Sequence, residues 1–401
     1  MTANDHRLKR TSRRSCRPKH PLISNFALVL MLAVPTAAIA GPAKMSSGHG
    51  APLVDRVAIF GQDDRRDLPD NLSGLEGKIG MIFEPVSQTL CTAFCVAPDV
   101  VATAAHCLFQ PKGGRLPEIS SLNFKLDYGK VSLSSSISGS RAGLEKNYIA
   151  VGTTQFNQEP PLSAPMDWAL AKLERPVCRF GVIRVEARPI EILAQAATDS
   201  KIFQVAYHWD YKQWKLAYSG RCRISKNFKN LEWRAIQQHF AESDELVLHD
   251  CDTGGASSGS PLLMETEAGP VAVAVNVGTY TRTRLFIRQG RVIRRMKPDV
   301  IANTAVNVRA FAHIIPELEK SKLLASKEDI QRLQVELQAR GLYRDKIDGD
   351  LGRKTRQAIR AFEIASGHPA TGLATQKLLD LLSRDRVLPG IDYSTMPEQK
   401  P

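Results

Sequence analysis

No internal run of this sequence approaches the roughly 20 consecutive apolar residues that a membrane-spanning helix requires, so no stable membrane anchor is expected in the mature chain. Aromatic residues make up only 6% of the 401. They are too sparsely interleaved with the basic residues to form the stacking surfaces of a nucleic-acid binder, and no nucleic-acid partner is expected. No Cys-x-x-Cys pair or histidine cluster has zinc-ligand spacing, which argues against a structural metal, and no motif calls for a cofactor. Between about Val54 and Phe311 regular helical periodicity is also missing. What stands there are short β-rich runs broken by Gly, Pro and Asn, such as Ile79-Phe83, Phe94-Val96, Val100-Thr103, Trp168-Leu173 and Val271-Val277. Many short strands of this kind predict antiparallel sandwiches or barrels, and about 250 residues suit two small barrels side by side.

The first 40 residues are of another kind. A basic stretch with Arg7, Lys9, Arg10, Arg13, Arg14, Arg17 and Lys19 precedes an apolar run from Phe26 to Ala40, with small residues Ala38 and Ala40 before Gly41-Pro42. This order predicts an export signal at 1–40, cleaved after Ala40, and a retained anchor is disfavoured by the short run and Pro35. Its loss takes away seven basic residues and Asp5, six net positive charges, and lowers the formal charge from +13 to +7. The remaining excess suits anionic surroundings such as envelope polymers. Cys16 goes with the signal, leaving Cys91, Cys95, Cys107, Cys178, Cys222 and Cys251. An even number in an exported chain predicts disulfides, with fifteen pairings open from sequence alone.

From about Lys327 the periodicity is helical: Ile330, Leu333 and Leu337 form one stripe, Ala358, Ile359 and Phe362 a second, and Leu378, Leu379 and Leu382 a third. A three-helix domain is expected over 327–385, after a linker at 316–326 that is itself partly helical on one reading, and before a tail at 386–401.

Three motifs carry chemistry. Cys91-Thr-Ala-Phe-Cys-Val-Ala-Pro-Asp-Val-Val-Ala-Thr-Ala-Ala-His106-Cys107 resembles the active-site histidine region of chymotrypsin/trypsin-like serine peptidases. Asp167-Trp-Ala-Leu-Ala-Lys-Leu resembles the strand that begins with the family's triad aspartate. Asp252-Thr-Gly-Gly-Ala-Ser-Ser258-Gly-Ser-Pro-Leu resembles the nucleophile loop, closest to the bacterial glutamyl-endopeptidase-like branch. Taken singly, a histidine is usually a structural residue, an aspartate a cap and a serine in a glycine-rich loop a turn former. Their order, His then Asp then Ser, is that of chymotrypsin.

The resemblance implies an all-β double barrel over 59–315 that hydrolyses protein or peptide substrates. It implies Ser258 as nucleophile, His106 as its base and Asp167 as the group that orients the imidazole. Ser258 rather than Ser257 directly precedes Gly-Ser-Pro. The oxyanion hole would be made at Ala256 and Ser258, and Ala256 departs from the family's glycine, which leaves a catalytically weak scaffold as the alternative function. Ser257 stands where trypsin has the aspartate that pairs with a new N-terminus, so that switch should be absent. Ile59-Phe-Gly-Gln-Asp-Asp-Arg65 resembles the start of the catalytic domain, with 41–58 a propeptide or an N-terminal arm.

Asp252 and Thr253 lie where a specificity pocket would be built. Asp252 would either pair with Arg or Lys of a substrate or satisfy backbone donors. Asn276 and Gly278, in Val275-Asn-Val-Gly, resemble the pocket wall, without the histidine that would accept a glutamate. The resemblance also implies Cys91–Cys107 and Cys222–Cys251 disulfides, with Cys95 and Cys178 paired by elimination or both free. Arg284, Arg288, Arg291, Arg294 and Arg295 surround a Gln289-Gly290 turn, a charged hairpin that is either simply solvated or meets an anionic polymer.

Ile330 through Gly341-Leu-Tyr343, Ile347-Asp-Gly349-Asp-Leu-Gly352, Thr355, Ala358-Ile359, Phe362 and Thr371-Gly372 resemble the peptidoglycan-binding domain of wall hydrolases. This implies peptidoglycan as a partner and a periplasmic or secreted, wall-associated protein. Tyr343, Arg344 and Asp348 are the candidate contacts by loop position; otherwise the domain binds protein or packs on the β region. Hydrolysis of the peptidoglycan stems themselves is disfavoured, because their D-residues and isopeptide links suit a trypsin-like cleft poorly.

Overall fold

The computed structural model describes residues 46–384 apart from 50–52, 56, 57, 113, 158, 213, 221, 283, 289, 290 and 296–298. The expected signal segment, the C-terminal tail, most of 41–58 and the Gln289-Gly290 turn lie outside the described residues. Three short strands come first: β1 (Ser46–His49), β2 (Leu53–Asp55) and β3 (Arg66–Asp67). Then β4 (Ile79–Glu84), β5 (Thr89–Ala97), β6 (Val100–Thr103), β7 (Asn123–Tyr128), β8 (Val131–Ser136), β9 (Ile149–Val151) and β10 (Ala169–Lys172) form a seven-stranded antiparallel sheet. Its order is β8-β7-β4-β5-β6-β10-β9. A bridge between Ile137 and Leu173, just past β8 and β10, curls the sheet without a continuous ladder that closes it among the described residues.

Residue alternation explains the placement of this sheet, because successive side chains of a strand point to opposite faces. Ala93 and Cys95 of β5 join Ile82, Val101, Phe124 and Ala169 in one apolar cluster. Phe94 and Val96, on the other face, join Met81, Val100 and Ala102 in a second cluster that also holds Phe203 and Val205 of the next sheet. With both faces covered, all nine residues of β5 are buried.

The second sheet is built from β11 (Ile202–Tyr207), β12 (Leu216–Ser219), β13 (Leu246–His249), β14 (Pro261–Met264), β15 (Val271–Arg282) and β18 (Asp299–Asn307). Its order is β13-β18-β15-β14-β11-β12-β3, with β2 paired to β15 at Thr279–Thr281. The hairpin of β16 (Arg284–Arg288) and β17 (Arg291–Arg295) pairs with β1. All strand ladders are antiparallel, so the described residues form two large antiparallel sheets and a small three-stranded one, followed by helices.

Two helices interrupt the region read from sequence as strands alone, beyond the four-residue α1 (His106–Phe109). α2 (Ile190–Thr198) buries Leu193 and Ala196 and exposes Ile192, and α3 (Trp233–Gln237) buries only Ile236. So narrow an apolar stripe in nine or five residues gives periodicity little to register.

Residues 316–326 are not a bare tether. α4 (Ile315–Lys320) buries Ile315 and Leu318, and Lys172 donates to the carbonyls of Leu318 and Glu319 at 3.2 and 2.6 Å. α5 (Lys327–Ala339) starts at Ser326, whose Oγ accepts from the Asp329 amide at 3.1 Å, capping one of the helix's unpaired N–H groups. α6 (Arg353–Ala365) and α7 (Gln376–Arg384) complete the domain. All three sequence stripes meet in one core with Tyr343 and Leu351. Full burial of Ile330, Leu333 and Leu337 contributes roughly 1.5–3 kcal/mol each.

This helical domain packs on the first sheet. Asn147 donates to the Leu324 carbonyl at 3.0 Å, Arg360 to that of Val151 at 2.9 Å and Arg356 to that of Lys146 at 2.6 Å. Burial, with Arg360 nearby, pushes the pKa of Arg356 down to about 9.

Candidate active site

His106 opens α1 directly after β6, and Asp167 lies just before β10, the strand paired with β6. The ladder therefore brings together two residues 61 positions apart. Asp167 Oδ1 accepts the His106 amide at 2.8 Å, and Oδ2 is 2.6 Å from His106 Nδ1. A carboxylate only accepts, so Nδ1 is the donor in this contact. Nε2 is buried and has no hydrogen-bond partner among the described residues. Phe156 packs edge-on against the imidazole, with ring centroids 6.4 Å apart.

His106 and Ser258 line one cavity of about 370 Å³, with Ala256, Gly255, Cys91 and Trp209 among its walls. Lys112 lines it as well, its Nζ 5.6 Å from the Trp209 ring centre. The sequence reading missed Trp209 and Lys112. Half-exposure of a tryptophan beside the loop of Ser258 is a signal that emerges only once the chain has folded.

The loop that presents Ser258 is anchored residue by residue. The Gly254 amide donates to His208 Nδ1 at 2.9 Å, and the Gly255 carbonyl accepts from the Trp209 amide at 2.7 Å. Thr92 Oγ1 donates to the Ala256 carbonyl at 2.8 Å while its amide donates to the Ser258 carbonyl at 2.9 Å. Asn276 Nδ2 reaches Ser257 O and Oγ at 3.2 and 3.3 Å. Gly259 has φ +85°, and a Cβ there would lie 2.2 Å from Thr103 Oγ1 and from the Thr92 carbonyl, so only glycine fits.

Within this anchored loop the Ala256 and Ser258 amides have no acceptor among the described residues. Two unpaired, preorganised N–H groups beside a nucleophile can stabilise a developing oxyanion. Ala256 itself sits at φ +78°, a left-handed conformation that favours glycine.

Two buried histidines hold the loop from either side. Burial pushes the pKa of His208 down to about 3, with the Arg65 charge adding to the effect. Burial likewise pushes His249 down to about 3, and its Nε2 donates to Asn276 Oδ1 at 3.1 Å. Arg65 is buried as well and forms ion pairs with Asp210 at 2.9 Å and Asp63 at 2.7 Å. Burial disfavours its charge, but the hydrogen bonds it donates to Asp63 and Asp210 outweigh that, and its pKa is raised.

None of the four residues expected to contact substrate lines this cavity. Asp252 is buried and accepts the amides of Phe60 and Asp64 at 2.7 and 2.8 Å, the backbone-satisfying alternative. Its pKa is raised by burial against those bonds. Thr253 pairs through backbone and hydroxyl with Ala58, Asn276 turns inward to Ser257 and His249, and Gly278 lies at a ladder irregularity between β15 and β18. These positions were placed from local motif spacing, which does not tell which way a side chain turns.

The disulfides are Cys91–Cys107, Cys95–Cys178 and Cys222–Cys251, so the two implied pairs form and the remaining pair is closed rather than free. Cys91, His106 and Cys107 place three potential ligand atoms within 4.8 Å of one another. With both sulfurs in a disulfide, no thiolate is left there to hold a metal.

In the helical domain Tyr343 and Asp348 are committed to the fold. Tyr343 Oη donates to the Lys346 carbonyl at 2.7 Å, and Asp348 Oδ1 accepts from Gln334 at 2.8 Å and from the Asp350 amide at 2.9 Å. Arg344 is exposed.

Residues 326–382, spanning α5, α6 and most of α7, match the sequence model of a family described as "Putative peptidoglycan binding domain". No curated protein matches the chain. The chain thus carries a C-terminal peptidoglycan-binding domain behind two antiparallel sheets. No helix among the described residues is long and apolar enough to cross a membrane.

Proposed function

We propose that this chain is an exported serine endopeptidase whose catalytic domain, 59–315, is a chymotrypsin-like double barrel. Its C-terminal domain would hold it at the cell wall. The observation that carries the proposal is the constellation around one cavity: the Asp167–His106 pair with an unoccupied Nε2, Ser258, and the two unpaired amides of Ala256 and Ser258.

In this reading His106 Nε2 takes the Ser258 hydroxyl proton as Oγ attacks the scissile carbonyl. Asp167 stabilises the imidazolium that forms. The proton then passes to the leaving amine, and water releases the acyl group by the same route. The oxyanion would rest on the Ala256 and Ser258 amides, a contribution of roughly 3 kcal/mol per donor in favourable cases. Three disulfides and a peptidoglycan-binding domain support a location outside the cytoplasm.

A second reading, a wall-bound scaffold with little activity, is favoured by the Cβ of Ala256 at φ +78° beside the oxyanion donors. Labelling by a fluorophosphonate probe separates the two. Labelling that disappears in Ser258→Ala supports the peptidase, whereas a folded wild type that never labels supports the scaffold.

A further inference from the structure

The peptidoglycan-binding domain has a groove that its core leaves open. It runs between α5 and α7 and holds about 680 Å³, within the range of small-ligand sites. Glu328, Arg332, Val335 and Glu336 line it from one face of α5, Leu379 from α7, and Ile347 from the loop before α6. The stripe of Ile330, Leu333 and Leu337 goes into the domain core, so Val335 lies on another face of the same helix, as the one apolar residue among Glu328, Gln331, Arg332 and Glu336. Val335 is 46% and Ile347 38% exposed, unusual for two β-branched side chains that share one concavity.

The charges around this apolar floor are of both signs, and those of Arg332 and Glu328 are only lightly committed. Arg332 pairs with Asp329 at 3.2 Å, but its side chain is 66% exposed and free to swing. Glu336 pairs with Arg340 at 3.0 Å, and Glu328 has no partner among the described residues. No aromatic side chain lines the groove. Tyr343 and Phe362 of the same domain are buried in its core.

That last feature decides between the two halves of a peptidoglycan ligand. Sugar rings are held by stacking their C–H faces on aromatic rings, which this groove does not offer. A stem peptide presents alanine methyl groups, free carboxylates and an ammonium group, matching an apolar floor with Arg332 and Glu328 on its rim.

We infer that the groove between α5 and α7 is the wall-binding site and that it takes the stem peptide, not the glycan. The inference rests on reading 326–382 as peptidoglycan-binding. Co-sedimentation of the full chain with purified murein, intact or stripped of its stem peptides by an amidase, tests it. Val335→Glu and Arg332→Ala alter exposed groove positions, and Ile364→Glu, on α6 at a 55% exposed position outside the groove, is the matched control.

Wild type and Ile364→Glu should bind intact murein alike and lose at least tenfold in affinity on the stripped glycan. Val335→Glu and Arg332→Ala should each lose about tenfold on intact murein. Undiminished binding to stripped glycan overturns the choice of ligand, and wild-type affinity in both groove variants overturns the site. Failure of the wild type to bind any murein overturns the peptidoglycan reading itself.

Discussion

His208 should make this protein acid-sensitive by a calculable amount. Its Nδ1 accepts the Gly254 amide, and burial holds its pKa at about 3 against an ordinary 6.5. The unfolded chain therefore takes up a proton below pH 6.5 while the folded chain does not. The histidine's contribution to stability is full above 6.5 and is lost progressively as pH falls toward 3. Between pH 7.5 and 5.0 the loss amounts to about 2 kcal/mol.

His208→Gln tests this, because an amide oxygen can still accept from Gly254 but cannot titrate. Urea unfolding at pH 7.5 and 5.0 should show the wild type losing about 2 kcal/mol more than the variant over that interval. His249 titrates alike in both proteins and cancels in the difference. Asp63 and Asp210, held below the usual carboxylate range by their bonds to Arg65, stay ionised at both pH values. An equal loss in the two proteins would refute the assignment of His208 as a neutral acceptor.

Ala256→Gly should relieve left-handed strain of roughly 1–2 kcal/mol, partly offset by glycine's greater unfolded-state freedom. The readout is the rate of fluorophosphonate labelling, which should rise; a slower rate would mean that the methyl group is not the obstruction. Removing Cys95–Cys178, whose cysteines are 83 positions apart, should cost about 4.5 kcal/mol. Removing Cys91–Cys107, with a separation of 16, should cost about 3 kcal/mol, and thermal melts that rank the two the other way would contradict this. Arg356→Ala strands the carbonyls of Lys146 and Gly372, at roughly 1–3 kcal/mol each. It should speed tryptic cleavage at Lys320 or Lys322, and wild-type resistance would mean that this arginine does not clamp the helical domain.

Legibility in the sequence followed the range of the interactions. The helical domain could be read almost completely, because its stripes recur every three or four residues and each ends in one core. β4, β5, β6, β10 and β15 are legible as short, largely apolar runs between turn residues. α2 was silent because Leu193 and Ala196 are its only buried residues, and α4 hid in a stretch whose polar residues suggested a linker. What tertiary contact decides, sequence patterning could not supply: Leu318 is buried because the first sheet covers it, not because its neighbours are apolar.

The site divides along the same line. His106 and Asp167 sit in motifs that set strand ends, and the β6–β10 ladder brings them together. Asp252 sits in an equally suggestive motif, yet its carboxylate is spent on the amides of Phe60 and Asp64 at the start of the β region. In sequence the Asp63-Asp64-Arg65 segment resembles only a domain start. Its physical role is to supply an amide to Asp252 and, through Arg65, to fix Asp210 beside the loop that His208 anchors. The same polar residue types therefore line a cavity or support a loop according to which backbone donors the fold brings within 3 Å of them. For Asp252 the donors come from nearly 190 residues away, a contact that no local motif records.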